Sequence, residues 1–447
     1  MASISLFEAS ISFFCFLVFC YFLNKKHSCY MRIKKSFQSY PWNWPVLGML
    51  PAVLMRLGQI DDIIWVLEKN NLTFIFRGPW FTRLHGRHIQ RRHRAMEESK
   101  NVFSDRAQSS SRFSEDGTVV DLQDVFRRLM FDISLVTITG SDPQSLSIEM
   151  PEVEFAKAFD NAGEAILFRH IIPRFLWELQ KRMGLGKEKK LTEAGSTFDR
   201  ICTRYIFAKR EEKRSTENDH DHSNGESEDL LTSHIKLDTS KYQLLNPSDD
   251  KFLRDTIVTF IFAGRDSTSS ALTWFFGLLS RNPHGPWSAI DHKEFLNKLV
   301  YLHGALYETM RLYPPVPFER KSPIKSDVLP SGHKIDANSH VIIPIYALGR
   351  MRSVWGQDAW EFKPERWISE TEGLRHEPSS KFLVFNSGPR TCLGKHIAMT
   401  AMKTVVVEIL QNYNIKLVKG HKIEPKPRLI LHMKHGLRVT LTKRGSA

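Results

Sequence analysis

The run Phe385-Asn386-Ser387-Gly388-Pro389-Arg390-Thr391-Cys392-Leu393-Gly394 constrains this chain more than any other ten residues. Its two glycines permit tight backbone conformations that a Cβ resists, and Pro389 stiffens the bend. An apolar helical stretch, Ile397 to Leu410, follows directly. The cysteine sulfur then lies at a helix N-terminus, where free N–H groups and the positive end of the dipole stabilise a thiolate. A cysteine alone in a Gly/Pro turn is ordinarily a buried structural residue. The whole run, with Phe, Gly, Arg, Cys and Gly in order, reads instead as a loop that presents one sulfur.

Two further runs carry chemistry. Ala263-Gly264-Arg265-Asp266-Ser267-Thr268 lies inside a helical stretch from about Ser248 to Leu279, with Ser248 and Asp249 as caps and Pro283 closing it. Small residues such as Ala263 and Gly264 let a ligand approach the helix. Asp266, Ser267 and Thr268 can relay protons. The second run is Glu308-Thr309-Met310-Arg311, followed by Tyr313-Pro314-Pro315-Val316-Pro317-Phe318 and later by Pro364-Glu365-Arg366-Trp367. Glu308 and Arg311 share a helix face at i and i+3. An isolated pair of this kind is ordinarily a surface salt bridge worth less than about 1 kcal/mol.

The cysteine run meets the pattern F-x-x-G-x-R-x-C-x-G without a mismatch, and so resembles the haem-binding signature of cytochromes P-450, the haem-thiolate monooxygenases. The resemblance implies a mainly α fold with small β-sheets and haem as cofactor. It implies that Cys392 is the axial iron ligand, that Arg390 reaches a haem propionate, and that Phe385, Gly388 and Gly394 shape the cofactor loop. A thiolate ligand pushes electron density toward bound oxygen and favours O–O cleavage. Asp266, Ser267 and Thr268 then match the oxygen-activation segment A-G-x-D-T-T/S, with serine in place of the first threonine. Glu308, Arg311 and Arg366 match a buried triad that locks the cysteine loop to the core. Val316, Phe318 and Leu431, with Ala263 and Gly264, become substrate-facing candidates, although each of the first three suits an ordinary core position equally.

Stretches such as Tyr346-Ala347-Leu348-Gly349-Arg350-Met351 and Leu429 to Gly436 are similar to the plant branch of fatty-acid and midchain-alkane hydroxylases. The branch implies a long-chain apolar substrate (alkane or fatty acid), O2, and electrons from NADPH through a flavoprotein reductase. No nucleotide fingerprint supplies them internally: Gly184-Leu185-Gly186 lacks a third glycine and a preceding strand. Lys395, His396 and Lys403 form a basic face suited to an acidic reductase. Two departures stand against the pattern. No W-x-x-x-R helix occurs between Trp80 and Val119, and the chain is short between Asn282 and Glu308, so parts of the N-terminal sheet and helices are missing. The second reading is accordingly an inactive or truncated member that does not bind haem productively.

Composition fits an ordinary globular protein of 447 residues, 42% hydrophobic and 25% charged, with a net charge of +14 that favours acidic partners or an anionic membrane surface. No basic–aromatic array points to nucleic acid. The five cysteines (Cys15, Cys20, Cys29, Cys202 and Cys392) form no disulfide framework or zinc cluster and fit a reducing compartment. The apolar stretch Ile11 to Leu23, broken only by Ser12 and followed by Lys25, Lys26, Arg32, Lys34 and Lys35, reads as a single membrane anchor over residues 1–24 rather than a signal peptide. That reading places the catalytic body on the cytosolic side of the endoplasmic reticulum membrane. A basic, proline-rich hinge spans 25–52, with Pro41, Pro45 and Pro51, and the haem-binding domain spans 53–447. The Arg/His block at 83–94 is read as a solvated surface. Apolar spacing predicts helices over Leu122–Val136 and Val153–Leu167, polar residues 209 to 229 predict a surface loop containing His220 and His222, and short strands are expected at Val341–Ile345 and Leu429–Leu441.

Overall fold

Asp121 joins the first long helix to the last strand. Its carboxylate accepts the Gln123 N–H at 3.0 Å, as an N-cap does, and the Leu437 N–H at 2.8 Å. Gly436 faces it at φ +70°, and a Cβ there would lie 2.1 Å from Asp121 Oδ2, so only glycine fits this turn. The structure is a computed structural model that describes residues 119–147, 149–218, 229–236, 248–282, 299–371 and 373–444. The anchor, the hinge, the Arg/His block, the region of the missing W-x-x-x-R and the loop histidines all lie outside those residues.

The described chain begins with β1 (Val119–Asp121), α1 (Leu122–Thr139), α2 (Glu154–Ile171), α3 (Arg174–Met183), α4 (Gly186–Asn218) and α5 (Leu230–Ile235). It continues with α6 (Asp250–Arg281), α7 (Leu299–Leu312), β2 (Glu319–Lys321), β3 (Asp327–Val328), β4 (Lys334–Ile335), β5 (Val341–Ile343), α8 (Ile345–Leu348) and α9 (Arg352–Trp355). It ends with α10 (Lys395–Asn412), β6 (Tyr413–Leu417), β7 (Pro425–Lys426), β8 (His432–Met433) and β9 (Arg438–Lys443). The fold is mainly α with small open sheets, as expected. All strand pairs are antiparallel: a three-stranded sheet in the order β1-β9-β6 and the pairs β2-β5, β3-β4 and β7-β8.

Helix α6, about 48 Å long at 1.5 Å per residue, is the spine. Its N-terminal half gives Leu253, Ile257 and Ile261 to one apolar cluster, shared with Phe131 and Leu135 of α1, Phe155 and Phe159 of α2, and Cys202 and Ile206 of α4. Its C-terminal half gives Leu272, Trp274 and Phe276 to a larger cluster with Leu306, Trp367, Val405, Leu431 and Val439. Each large side chain buried this way stabilises the fold by roughly 1.5–3 kcal/mol. The polar turn 263–268 falls between the two clusters and belongs to neither.

Two expectations change here, over α4 and at the N-terminal anchor. Helix α4 runs to Asn218, through much of the region read as a loop. Lys, Arg and Glu are good helix formers, and Lys209 with Glu212 and Arg214 with Glu211 pair three residues apart along the helix. Helix α3 buries none of its residues and exposes Phe175, Leu176, Leu179 and Met183. The transmembrane reading, with the membrane location built on it, is corrected: no helix among the described residues is long and apolar enough to cross a membrane.

Candidate functional site: the cysteine loop and the spine turn

The cysteine loop is closed by a hydrogen bond from the Cys392 N–H to the Phe385 carbonyl at 2.7 Å. Inside it, Gly388–Arg390 form one 3-10 turn, and Gly388 adopts φ +62°, which a side chain resists. Gly394 takes an ordinary φ of −86° as the residue before α10, so its smallness is not required by the backbone. Open space surrounds the Cβ positions of both glycines. Residues 387–393 are all exposed, including Arg390, Cys392 and the apolar Leu393, 52% exposed. An exposed thiol beside an exposed leucine, two unfilled glycine faces and an arginine fit a flat apolar group that offers a metal to sulfur and an acid to a cation. Haem has that chemistry.

Cys392 precedes α10 by two residues, and the N–H groups of Gly394 and Lys395 and the Lys395 charge draw its pKa down. Packing by the loop outweighs them: although one side is open, desolvation raises the thiol above its ordinary value. The helix terminus alone therefore does not make the thiolate. A coordinating metal deprotonates its thiol outright.

The spine turn divides by helical face. Ala263 is exposed and Ser267 lies one turn on, in line with exposed Thr259. Ser267 Oγ donates to the Ala263 carbonyl at 2.6 Å. Thr268 is buried on the other side. Asp266 is buried too, and its Oδ1 sits 3.6 Å from Arg127 Nε and 3.6 Å from Arg265 Nε. That separation is an ion pair without a hydrogen bond, and none of these three atoms has a hydrogen-bond partner. Both arginines bond Asp160 of α2 instead. A Cβ on Gly264 would lie 3.1 Å from Ser134 Oγ of α1, so this glycine serves helix packing rather than ligand approach. Leu431 is likewise a core residue, 0% exposed. Its carbonyl takes Ser270 Oγ at 2.6 Å and Trp274 Nε1 at 3.1 Å. Val316 and Phe318 are half-buried.

Glu308, Arg311 and Arg366 come together. Arg311 grips Glu308 with two hydrogen bonds of 2.8 Å, and both side chains are 0% exposed. Arg366 Nε reaches Glu308 Oε1 at 3.3 Å. The Lys363 N–H and Trp367 Nε1 also donate to Glu308, at 3.0 and 2.9 Å. Arg311 spends its remaining donors on the carbonyls of Gly349, Ala359 and Glu361. The network fixes residues 349–367, and aromatic contacts carry the constraint on to the cysteine loop: Trp367 meets Phe382 at 4.6 Å, and Tyr307 meets Phe385 at 6.2 Å. Asp358, beside Lys363 and Arg366, is held down to about 2.

Trp367, Lys363, Asp160 and Arg127 are participants that sequence reading missed. Trp367 was visible beside Arg366, whereas nothing in the local sequence marks Arg127 or Asp160. Of the expected basic face, His396 is exposed, but Lys403 donates inward to His303 Nδ1 at 3.2 Å. Lys395 lies over the rings of Tyr307 and Phe385, at 5.7 and 5.3 Å.

A cytochrome P450 family model matches residues 72–286 and 288–441. The chain belongs to the cytochrome P450 family. Its cofactor is haem, and its class is haem-thiolate monooxygenase. An alkane hydroxylase of Arabidopsis thaliana is 44% identical, over 98% of this chain and 99% of the relative. A cytochrome P450 of the same plant, 86B1, is 34% identical over 92% of this chain and 87% of the relative. A noroxomaritidine synthase of Narcissus pseudonarcissus is 33% identical over 98% and 96%. The first match extends over 503 aligned positions, more than the 447 residues available, so this cytochrome P450 lacks internal segments that the relative has.

Proposed function

We propose that this cytochrome P450 hydroxylates long-chain aliphatic substrates, alkanes or fatty acids, with electrons delivered from NADPH by a flavoprotein reductase. The observation that carries the reading is the closed loop that leaves Cys392 exposed, in a chain similar along nearly its whole length to an alkane hydroxylase. Haem, when bound, supplies reductive activation of O2 and insertion of one oxygen atom into a C–H bond, the other leaving as water.

The protein's own groups have separable tasks in this reading. Cys392 ligates the iron, and Arg390 neutralises a propionate. Phe385 and Gly388 shape the loop, and Gly394 leaves its face free. Ser267 holds a proton at its Oγ on the open face of α6, where it can turn from the Ala263 carbonyl toward a bound substrate. Asp266 acts from behind the helix, held between Arg127 and Arg265. Glu308, Arg311 and Arg366 keep the loop's support rigid. Ala263, Val316 and Phe318 are the apolar positions for substrate.

The test is the carbon-monoxide difference spectrum of the reduced full-length protein, followed by product analysis with alkanes and fatty acids side by side. A thiolate-type Soret band with hydroxylated products supports the proposal. Protein without that band is the inactive family member that the missing internal segments would produce.

A further inference from the structure

Asn386 has a φ of 59°, a left-handed conformation that asparagine adopts more readily than other side chains because its amide can bond the neighbouring backbone. Three bonds hold it. Its N–H donates to the Leu383 carbonyl at 2.8 Å. Its Oδ1 accepts the Ser387 N–H at 2.9 Å. Its Nδ2 donates to Glu319 Oε1 at 3.0 Å. The preceding residue, Phe385, supplies the carbonyl that closes the loop on Cys392.

Glu319 belongs to a different part of the protein. It opens β2, directly after Val316-Pro317-Phe318, and is paired in register with Ile343 of β5. That segment is fastened along its length: the Pro315 carbonyl takes the Leu431 N–H at 2.8 Å, and the Pro317 carbonyl takes the Tyr346 N–H at 3.1 Å. Lys321 Nζ holds the other carboxylate oxygen of Glu319 at 2.7 Å. The carboxylate is thus pinned to its strand by one oxygen and reaches the cysteine loop with the other.

We propose that Glu319 is a positioning residue, coupling the segment 316–318 through Asn386 to the loop that presents Cys392. A long-chain ligand that presses on Val316 or Phe318 moves β2, and Glu319 passes that movement to the residue beside the loop closure. The inference rests on the haem-thiolate reading given above.

The experiment uses the haem-loaded full-length protein with a long-chain alkane as probe. It reads two signals: the lifetime of the thiolate form of the carbon-monoxide complex and the size of the alkane-induced spin shift. Asn386→Gly keeps the left-handed backbone accessible while deleting the link, and Glu319→Ala deletes the link without touching the loop. Both should shorten the lifetime and shrink the spin shift by about threefold, the loss expected for one hydrogen bond. The double variant should be no worse than either single one. Glu319→Gln, which keeps an acceptor, should restore most of the signal. Wild-type behaviour of Asn386→Gly, or of Glu319→Ala where the glycine variant does not load haem, overturns the proposal. Wild-type protein that never shows a thiolate band overturns the functional reading itself, and the positioning role with it.

Discussion

A methyl group on Gly349 would lie 2.0 Å from the carbonyl oxygen of Arg311. The Arg311 guanidinium also donates to the Gly349 carbonyl, so the two segments are held together by backbone contact and by that bond. Gly349→Ala should therefore push apart the segments that Arg311 ties together. The expected loss is about 3 kcal/mol or more, in the range of severe overpacking. Thermal unfolding and haem per protein chain, measured together, check it; an unchanged melting temperature would show that the segment yields freely.

Arg366→Ala leaves the Glu308 carboxylate buried with one cation fewer. Losing one partner of a buried charge costs roughly 3–5 kcal/mol, and the low end applies because Arg366 is not fully buried. The purified variant should carry little haem, measured as the Soret-to-protein absorbance ratio. A ratio equal to that of wild type would remove Arg366 from the support of the loop.

Ser267 and Thr268 are neighbours in sequence but differ in burial, Ser267 partly open and Thr268 buried, which separates their roles. Ser267→Ala should raise peroxide released per NADPH by about tenfold, below what a fully positioned proton donor contributes, while stability stays near wild type. Thr268→Ala should do the reverse, lowering stability through its buried site and leaving coupling nearly intact. Equal peroxide release from wild type and Ser267→Ala would exclude the proton role.

Burial first, and then the charges of Lys403, Lys395 and His376, hold His303 down from 6.5 to about 4. The unfolded chain takes up this proton near 6.5 and the folded protein only near 4, so the unfolded state binds more protons in between. The stability linked to His303 is complete above about pH 6.5 and is lost as pH falls toward 4. His432, also held to about 4 by burial and Arg127, adds a loss of the same sign. The slope of melting temperature against pH in this window should flatten in His303→Gln without vanishing. An identical slope would mean that His303 does not titrate there.

Sequence made the cysteine loop and the triad legible because both are short patterns whose residues touch: Phe385 to Cys392 closes one ring, and Glu308 to Arg311 spans one helix turn. The long helices were equally readable from apolar spacing. The spine turn was only half readable. Its run of small and polar residues was plain, yet which face each occupies depends on α1 and α2, and these turned Gly264 and Asp266 away from the exposed face of Ala263. Arg127 and Asp160 lie far from Asp266 in sequence, so no local pattern could foretell their meeting. Leu431 was misplaced for a similar reason. The strand expected over Leu429–Leu441 is instead β8 and β9 with Leu431 just before β8, and the bonds from Ser270 and Trp274 that draw it into the core come from another element. In α4, charged residues suggested solvent, and solvent is where they are, but on a helix.

The Glu308 carboxylate receives five donors: two from Arg311 and one each from Lys363, Arg366 and Trp367. Glutamine there would turn an amide N–H toward groups that are themselves donors. Aspartate is too short to keep every partner, and neutralising one arginine strands a charge. Each of these changes leaves a buried group of the set without its partner. The set therefore works as a unit in which no member is spare, and this chain holds every member of it.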